Sequence, residues 1–146
     1  MNSSQGKRNR VNGHNYEREI RKKWFDAGWK HVVTSRSESK NADDSGLDLV
    51  HTAPFAVQCK YSKTRPNYID ILNNMPDVFS NLLFHKQPRG KTYVTMDETT
   101  FWEILKHVKD IPREGKHDLS VLPKRSGKSK SDKTNTVSKK QSKTEQ

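Results

Sequence analysis

The chain has 146 residues, 29% of them hydrophobic, with 28 Lys and Arg against 17 Asp and Glu for a formal charge of +11. That length suits one domain with tails, and so low an apolar fraction implies that part of the chain lies outside a packed core. No apolar run approaches the roughly 18 residues of a membrane span, the polar start does not read as a signal peptide, and a single cysteine, Cys59, excludes an internal disulfide.

The charge is uneven. Residues 124–146 carry eight basic residues against Asp132 and Glu145, and residues 1–10 add Lys7, Arg8 and Arg10, which leaves only +2 for residues 11–123. The expected organisation is a mildly basic domain over 13–112, between a disordered basic arm (1–12) and a disordered Lys/Ser-rich tail (113–146). Ends of one sign without an amphipathic apolar face suit tethering to nucleic acid rather than to a membrane. A lone cysteine fits a reducing compartment, so a cytoplasmic or nucleoid-associated, non-secreted protein is expected. One cysteine and six scattered histidines give no zinc-type spacing.

Taken in order, Tyr16, Ile20, Trp24 and Ala27 make one apolar stripe, which predicts a helix over 15–27. Asn15 stands as its N-cap and Gly28 just past its end. Trp29 to Arg36 reads as a strand, and Ser35 to Ser45 as a polar loop without core residues. Two short strands follow, Gly46 to Val50 and Phe55 to Lys60, joined by a turn at Ala53-Pro54. Residues 67–86 are expected to be helical, broken or kinked at Pro76. A strand over 92–96 and a helix opening at Asp97 complete the domain. The predicted order is α-β-β-β-α-β-α, a central mixed sheet flanked by helices in an α/β fold.

The hairpin carries the chemistry. Side chains alternate along a strand, so Gln58 and Lys60 share a face while Val57 and Cys59 take the other, and Asp48 opposes Leu47 and Leu49. An acid, an amide oxygen and an ammonium brought together suit a hard divalent cation beside an anionic oxygen. Asp43 and Asp44 are rival acids, ranked lower because they lie in the loop before the strand. On this parity Cys59 points into the core and is no nucleophile. The six histidines share no spacing and receive no role.

Gly13-His14-Asn15-Tyr16-Glu17-Arg18-Glu19, Ser35-Arg36-Ser37, Gly46-Leu47-Asp48-Leu49-Val50 and Gln58-Cys59-Lys60 together resemble the PD-(D/E)XK nuclease superfamily. Within it the likeness is greatest to archaeal-type Holliday junction resolvases, and it covers residues 11–62 best. The resemblance implies a restriction-endonuclease-like fold and a Mg²⁺- or Mn²⁺-dependent endonuclease that resolves four-way DNA junctions as a homodimer. A restriction- or repair-type nuclease of the same fold, or a non-catalytic DNA-binding protein, are the alternatives. It makes Glu17, Asp48, Gln58 and Lys60 the catalytic set. Glu17, Asp48, Gln58 and the Cys59 backbone carbonyl would be the metal donors. Arg18, Arg36, Ser37, Lys63 and Arg65, with Lys7, Arg8 and Arg10 of the arm, would contact DNA. Gln58 departs from the superfamily's usual acid, which implies weaker metal binding or greater reliance on Glu17 and Asp48.

Overall fold

The computed structural model describes residues 3–111, 113 and 115–124, and the chain divides after Ile111 into two units. In the first, helix α1 spans Ser3–Asp26. It begins well before Asn15, so the described part of the expected arm is helical. Once Tyr16 and Ile20 anchor the helix by burial, each further turn propagates an existing nucleus instead of forming one. No proline interrupts residues 3–14, and Gly6 and Gly13 cost about 1 kcal/mol each relative to Ala. At the other end Gly28 takes a φ of 118°, and Trp29 N–H returns to the Trp24 carbonyl at 3.1 Å, closing the helix where expected.

Strand β1 is only Val33–Thr34. Residues 35–45, expected to be an irregular loop, form two short helices, α2 (Ser35–Glu38) and α3 (Lys40–Asp44). Ser35 is 1% exposed, contrary to the expectation of no core residue there, because its N–H donates to the Asp48 carbonyl and its hydroxyl to Asp43 Oδ1. Strand β2 (Leu49–Val50) pairs antiparallel with β1 and with β3 (Phe55–Tyr61), as the hairpin reading requires. The turn holds a cis Ala53-Pro54 bond.

The largest departure follows. Helix α4 is Tyr68–Asn74, but Ser80–Lys86 is a strand, β4, lying parallel to β3 along its whole length. Val78, Phe79, Leu82 and Leu83 fall at i, i+1, i+4 and i+5, a spacing that mimics a helix face. The strand is flanked on both sides, and Leu82 and Leu83, on opposite faces, are both buried. A doubly covered strand gives an apolar run instead of alternation. Strand β5 (Thr92–Thr95) pairs antiparallel with β4. Helix α5 (Glu98–His107) opens as expected at Asp97, whose side chain accepts the Thr100 N–H at 2.6 Å.

The result is an α/β unit with a five-stranded mixed sheet ordered β1-β2-β3-β4-β5 and flanked by helices, one strand more than expected. Tyr16 and Ile20 of α1 pack on Val32, Leu49, Val57 and Cys59, with Trp24, Trp29, Phe55, Tyr61 and Phe84 around them. In the second unit, Leu119–Val121 forms a single 3-10 turn capped by Asp118 within the expected unstructured tail. Residues 125–146 of that tail lie outside the described residues, as do Met1 and Asn2 of the arm. Among the described residues no helix is long and apolar enough to cross a membrane.

Candidate active site

The site begins where β2 leaves β3. Leu49 is opposite Val57, and Asp48 N–H still donates to the Val57 carbonyl at 2.9 Å. One residue earlier, Leu47 N–H turns to the Ala42 carbonyl (3.0 Å), so the chain peels away toward α3. Cys59 N–H faces the gap this opens, and Asp48 Oδ2 accepts it at 2.6 Å. Along an extended strand the N–H and C=O of one residue point to the same side, so the Cys59 carbonyl faces the gap too. The Asp48 carboxylate therefore sits at the level of the sheet, between its faces.

Burial pushes the Asp48 carboxyl up to about 6; the Cys59 N–H opposes this, Glu17 adds to it, Lys60 opposes it and Asp43 adds to it. An acid so perturbed, beside a lysine and a second carboxylate, is the kind of group that functional sites concentrate. Cys59 itself is buried, which drives its thiol well above the ordinary range and leaves it unreactive.

Glu17 comes from α1, on the flank facing α2. Its side chain is 13% exposed and is ion-paired with Arg36, whose guanidinium also meets His14 Nε2. His14, Glu17, Arg18, Thr34, Arg36 and Ser37 line one cleft of about 310 Å³. Four of the expected residues are thus gathered together: Glu17, Arg18, Arg36 and Ser37. The Ser37 hydroxyl is committed to the backbone, donating to the Thr34 carbonyl at 2.7 Å. Gln58 and Lys60 are half-buried on the face of β3 opposite Val57 and Cys59. The Gln58 amide oxygen reaches the α3–β2 turn, 3.7 Å from where a side chain on Gly46 would start. Arg8 and Lys63 line a different groove, whereas Lys7, Arg10 and Arg65 are exposed and line neither.

Comparison with family models, with curated proteins and with solved structures finds no match.

Three residues carry more than the sequence reading gave them. His14 buttresses Arg36, and its place three residues before Glu17, on the same helix face, was the available signal. Asp43 holds the buried Ser35 hydroxyl at 3.1 Å. Glu19, the second acid of the Glu-Arg-Glu run, ties α1 to the sheet through Lys86 at 3.2 Å. Burial would raise the Glu19 carboxyl, but hydrogen bonds from Lys86 and Lys23 outweigh it and hold it below its usual value. The sequence pattern over 67–86 spells a helix, so the pairing of Lys86 at the end of β4 is not legible in it.

Among the described residues no three His, Cys, Asp or Glu side chains come together in a group that could hold a metal ion. The donors at the gap are Asp48 and the Cys59 carbonyl; Glu17, within electrostatic reach of Asp48, is ion-paired with Arg36 and would add a carboxylate only on release from it. Gln58 adds an amide oxygen on the neighbouring turn. All are oxygens, which suits Mg²⁺ or Mn²⁺ and not a thiolate-loving ion. A cation also answers the problem at Asp48, a buried carboxylate repelled by two other acids. The donor set fits.

Proposed function

We propose that the chain is a Mg²⁺- or Mn²⁺-dependent DNA endonuclease, structure-selective for four-way junctions and active as a homodimer. The observation that carries the reading is the Asp48 carboxylate, fixed on the Cys59 N–H where β2 leaves β3 and set among Lys60, Glu17 and Asp43. The order of elements supports it as well. A helix, a three-strand meander and a helical crossover to a parallel strand agree with the restriction-endonuclease-like fold that the residue pattern implies.

Asp48, the Cys59 carbonyl, Glu17 and Gln58 would hold the cation. Bound there, it supplies a Lewis acid to a phosphoryl oxygen and makes water a better nucleophile. The chain's own residues do the rest. The Cys59 N–H and the flanking strand fix the Asp48 carboxylate, so little rearrangement is needed at the moment of reaction. Lys60 places positive charge beside Asp48, where it orients water and steadies charge building on the phosphate. Arg36 and Arg18, lining the cleft with Glu17, take up a substrate phosphate. A two-fold pair of such sites suits paired cuts on a symmetric junction. Helix α5, with Phe101 and Trp102 about half exposed, offers apolar surface for that pairing.

One observation favours a second reading, a DNA-binding protein without catalysis. Glu17 is paired with Arg36, and Gln58 brings no charge, so the negative charge offered to a cation is small. A single assay separates the two. Labelled four-way junction, linear duplex and single strand are incubated with protein and Mg²⁺, then with EDTA. The nuclease reading expects metal-dependent cleavage of the junction, lost in Asp48→Ala and Lys60→Ala while junction binding persists. Equal binding without cleavage of any substrate leaves the binding protein. Cutting of duplex at a fixed sequence, with junctions ignored, leaves a restriction-type enzyme.

A further inference from the structure

A second groove, of about 900 Å³, lies between the first half of α1 and the loops that follow β3 and β4. Arg8, Lys63 and Arg89 bring three positive charges to it, Asn9 and Asn12 bring side-chain amides, and among the described residues no acid lines it. An adjoining cavity shares Asn12, Tyr61 and Arg89, and its one acid, Glu19, is already paired with Lys86 and Lys23.

The groove is built rather than incidental. Gln87 Nε2 donates to the Lys63 carbonyl at 3.0 Å and Ser62 N–H to the Lys86 carbonyl at 3.2 Å, so the two loops are tied to each other. Gly90 N–H closes on the Gln87 carbonyl at 2.9 Å, and the tight turn holds Arg89 at a φ of 61°. A non-glycine residue in the left-handed region carries a conformational cost, and such costs gather where a side chain must be presented. On α1, at 100° per residue, positions 5, 9 and 12 continue the face of the buried stripe of Tyr16 and Ile20 with 8 at its edge, whereas 14, 17 and 18 lie on the opposite side of the helix. The groove is therefore separate from the Glu17 cleft.

Cations, amides and hydroxyls without a carboxylate are the complement of phosphate oxygens, and they position a nucleic acid without reading its bases. We propose that this groove holds the sugar–phosphate backbone of a DNA segment other than the one at Asp48, namely a second arm of a branched substrate. The proposal deepens the nuclease reading and rests on it for the choice of DNA as the polyanion.

The test is junction and short-duplex binding by fluorescence anisotropy in EDTA across a salt series. It compares the full chain with Lys63→Ala/Arg89→Ala and with a control of equal charge change, Lys106→Ala/Lys109→Ala on and after α5. Neutralising two phosphate contacts lowers the slope of log K against log salt by about 2 on the junction, with a smaller change on the duplex and on the control. Arg8→Ala, on an exposed turn of α1, gives a slope change of about 1 and guards against misfolding of the double variant. An unchanged slope, an equal change in the control, or an equal loss on junction and duplex overturns the proposal. Because EDTA prevents cutting, these outcomes do not depend on catalysis. Mg²⁺-dependent cleavage with an unchanged slope would remove the groove and leave the nuclease, whereas a reduced slope without cleavage would do the reverse.

Discussion

Replacing Asp48 with asparagine turns the raised carboxyl into a measurable free energy. The fold pushes this group from an ordinary 3.8 to about 6, chiefly by burial. Below pH 3.8 the folded and unfolded chains both hold the proton, and the acid carries no penalty. Between these values only the folded chain holds it, so stability falls as pH rises. Above pH 6 both forms are ionised and the full penalty is present. At 1.36 kcal/mol per unit the gap amounts to about 3 kcal/mol. Asparagine keeps an oxygen for the Cys59 N–H and removes the charge. In urea unfolding, Asp48→Asn should then exceed the wild type by up to about 3 kcal/mol at pH 7.5, and match it near pH 3.5. If the gap holds a cation, Mg²⁺ should recover part of that stability in the wild type at pH 7.5 and do nothing for the variant. An Asp48→Asn protein no more stable than wild type at pH 7.5 would refute the reasoning, since burial and repulsion would then not be what governs Asp48.

Other perturbations follow from the same geometry. Arg36→Ala should release Glu17 and tighten Mn²⁺ binding severalfold, read by electron paramagnetic resonance titration without DNA, while weakening junction binding. Gln58→Glu should lower the Mg²⁺ concentration for half-maximal cutting; an identical Mg²⁺ titration would mean that Gln58 is no ligand. Leu83→Ala, at a side chain with 0% exposure in the middle of β4, should cost about 2–5 kcal/mol in chemical denaturation.

Legibility followed the range of the interactions. The hairpin was readable because alternation and a turn are local properties of 46–60, and Val57 and Cys59 are buried while Gln58 and Lys60 are half-buried, although Ala56 on the latter face is buried too. The C-terminal stop at Gly28 and the cap at Asp97 were readable for the same reason. Strand β4 was not, because its character depends on pairing between β3 and β5 and on burial of both its faces, and its residues taken alone spell a helix face. The candidate site divides likewise. Lys60 follows from strand position, but Asp48 lies just before β2 with its carboxylate on the Cys59 N–H and not on the face alternation assigns it. The Arg36 bridge between His14 and Glu17 joins residues about twenty positions apart through two helices with no shared periodicity. The Glu19–Lys86 tie spans 67 positions and vanishes once β4 is misassigned.

The hairpin has a consequence for how the site is assembled. The bond from Cys59 to Asp48 closes only 11 positions of chain, against 67 for the tie between α1 and β4. Loop-closure entropy scales as (3/2)RT ln n, so the shorter closure is favoured by about 1.6 kcal/mol before any contact energy is counted. The Glu19–Lys86 tie is thus the closure most readily lost, whereas Glu17, paired with Arg36 across 19 positions and next to the buried Tyr16, stays with the core. Loosening would then begin at the α1–β4 tie and reach the Asp48–Cys59 bond last.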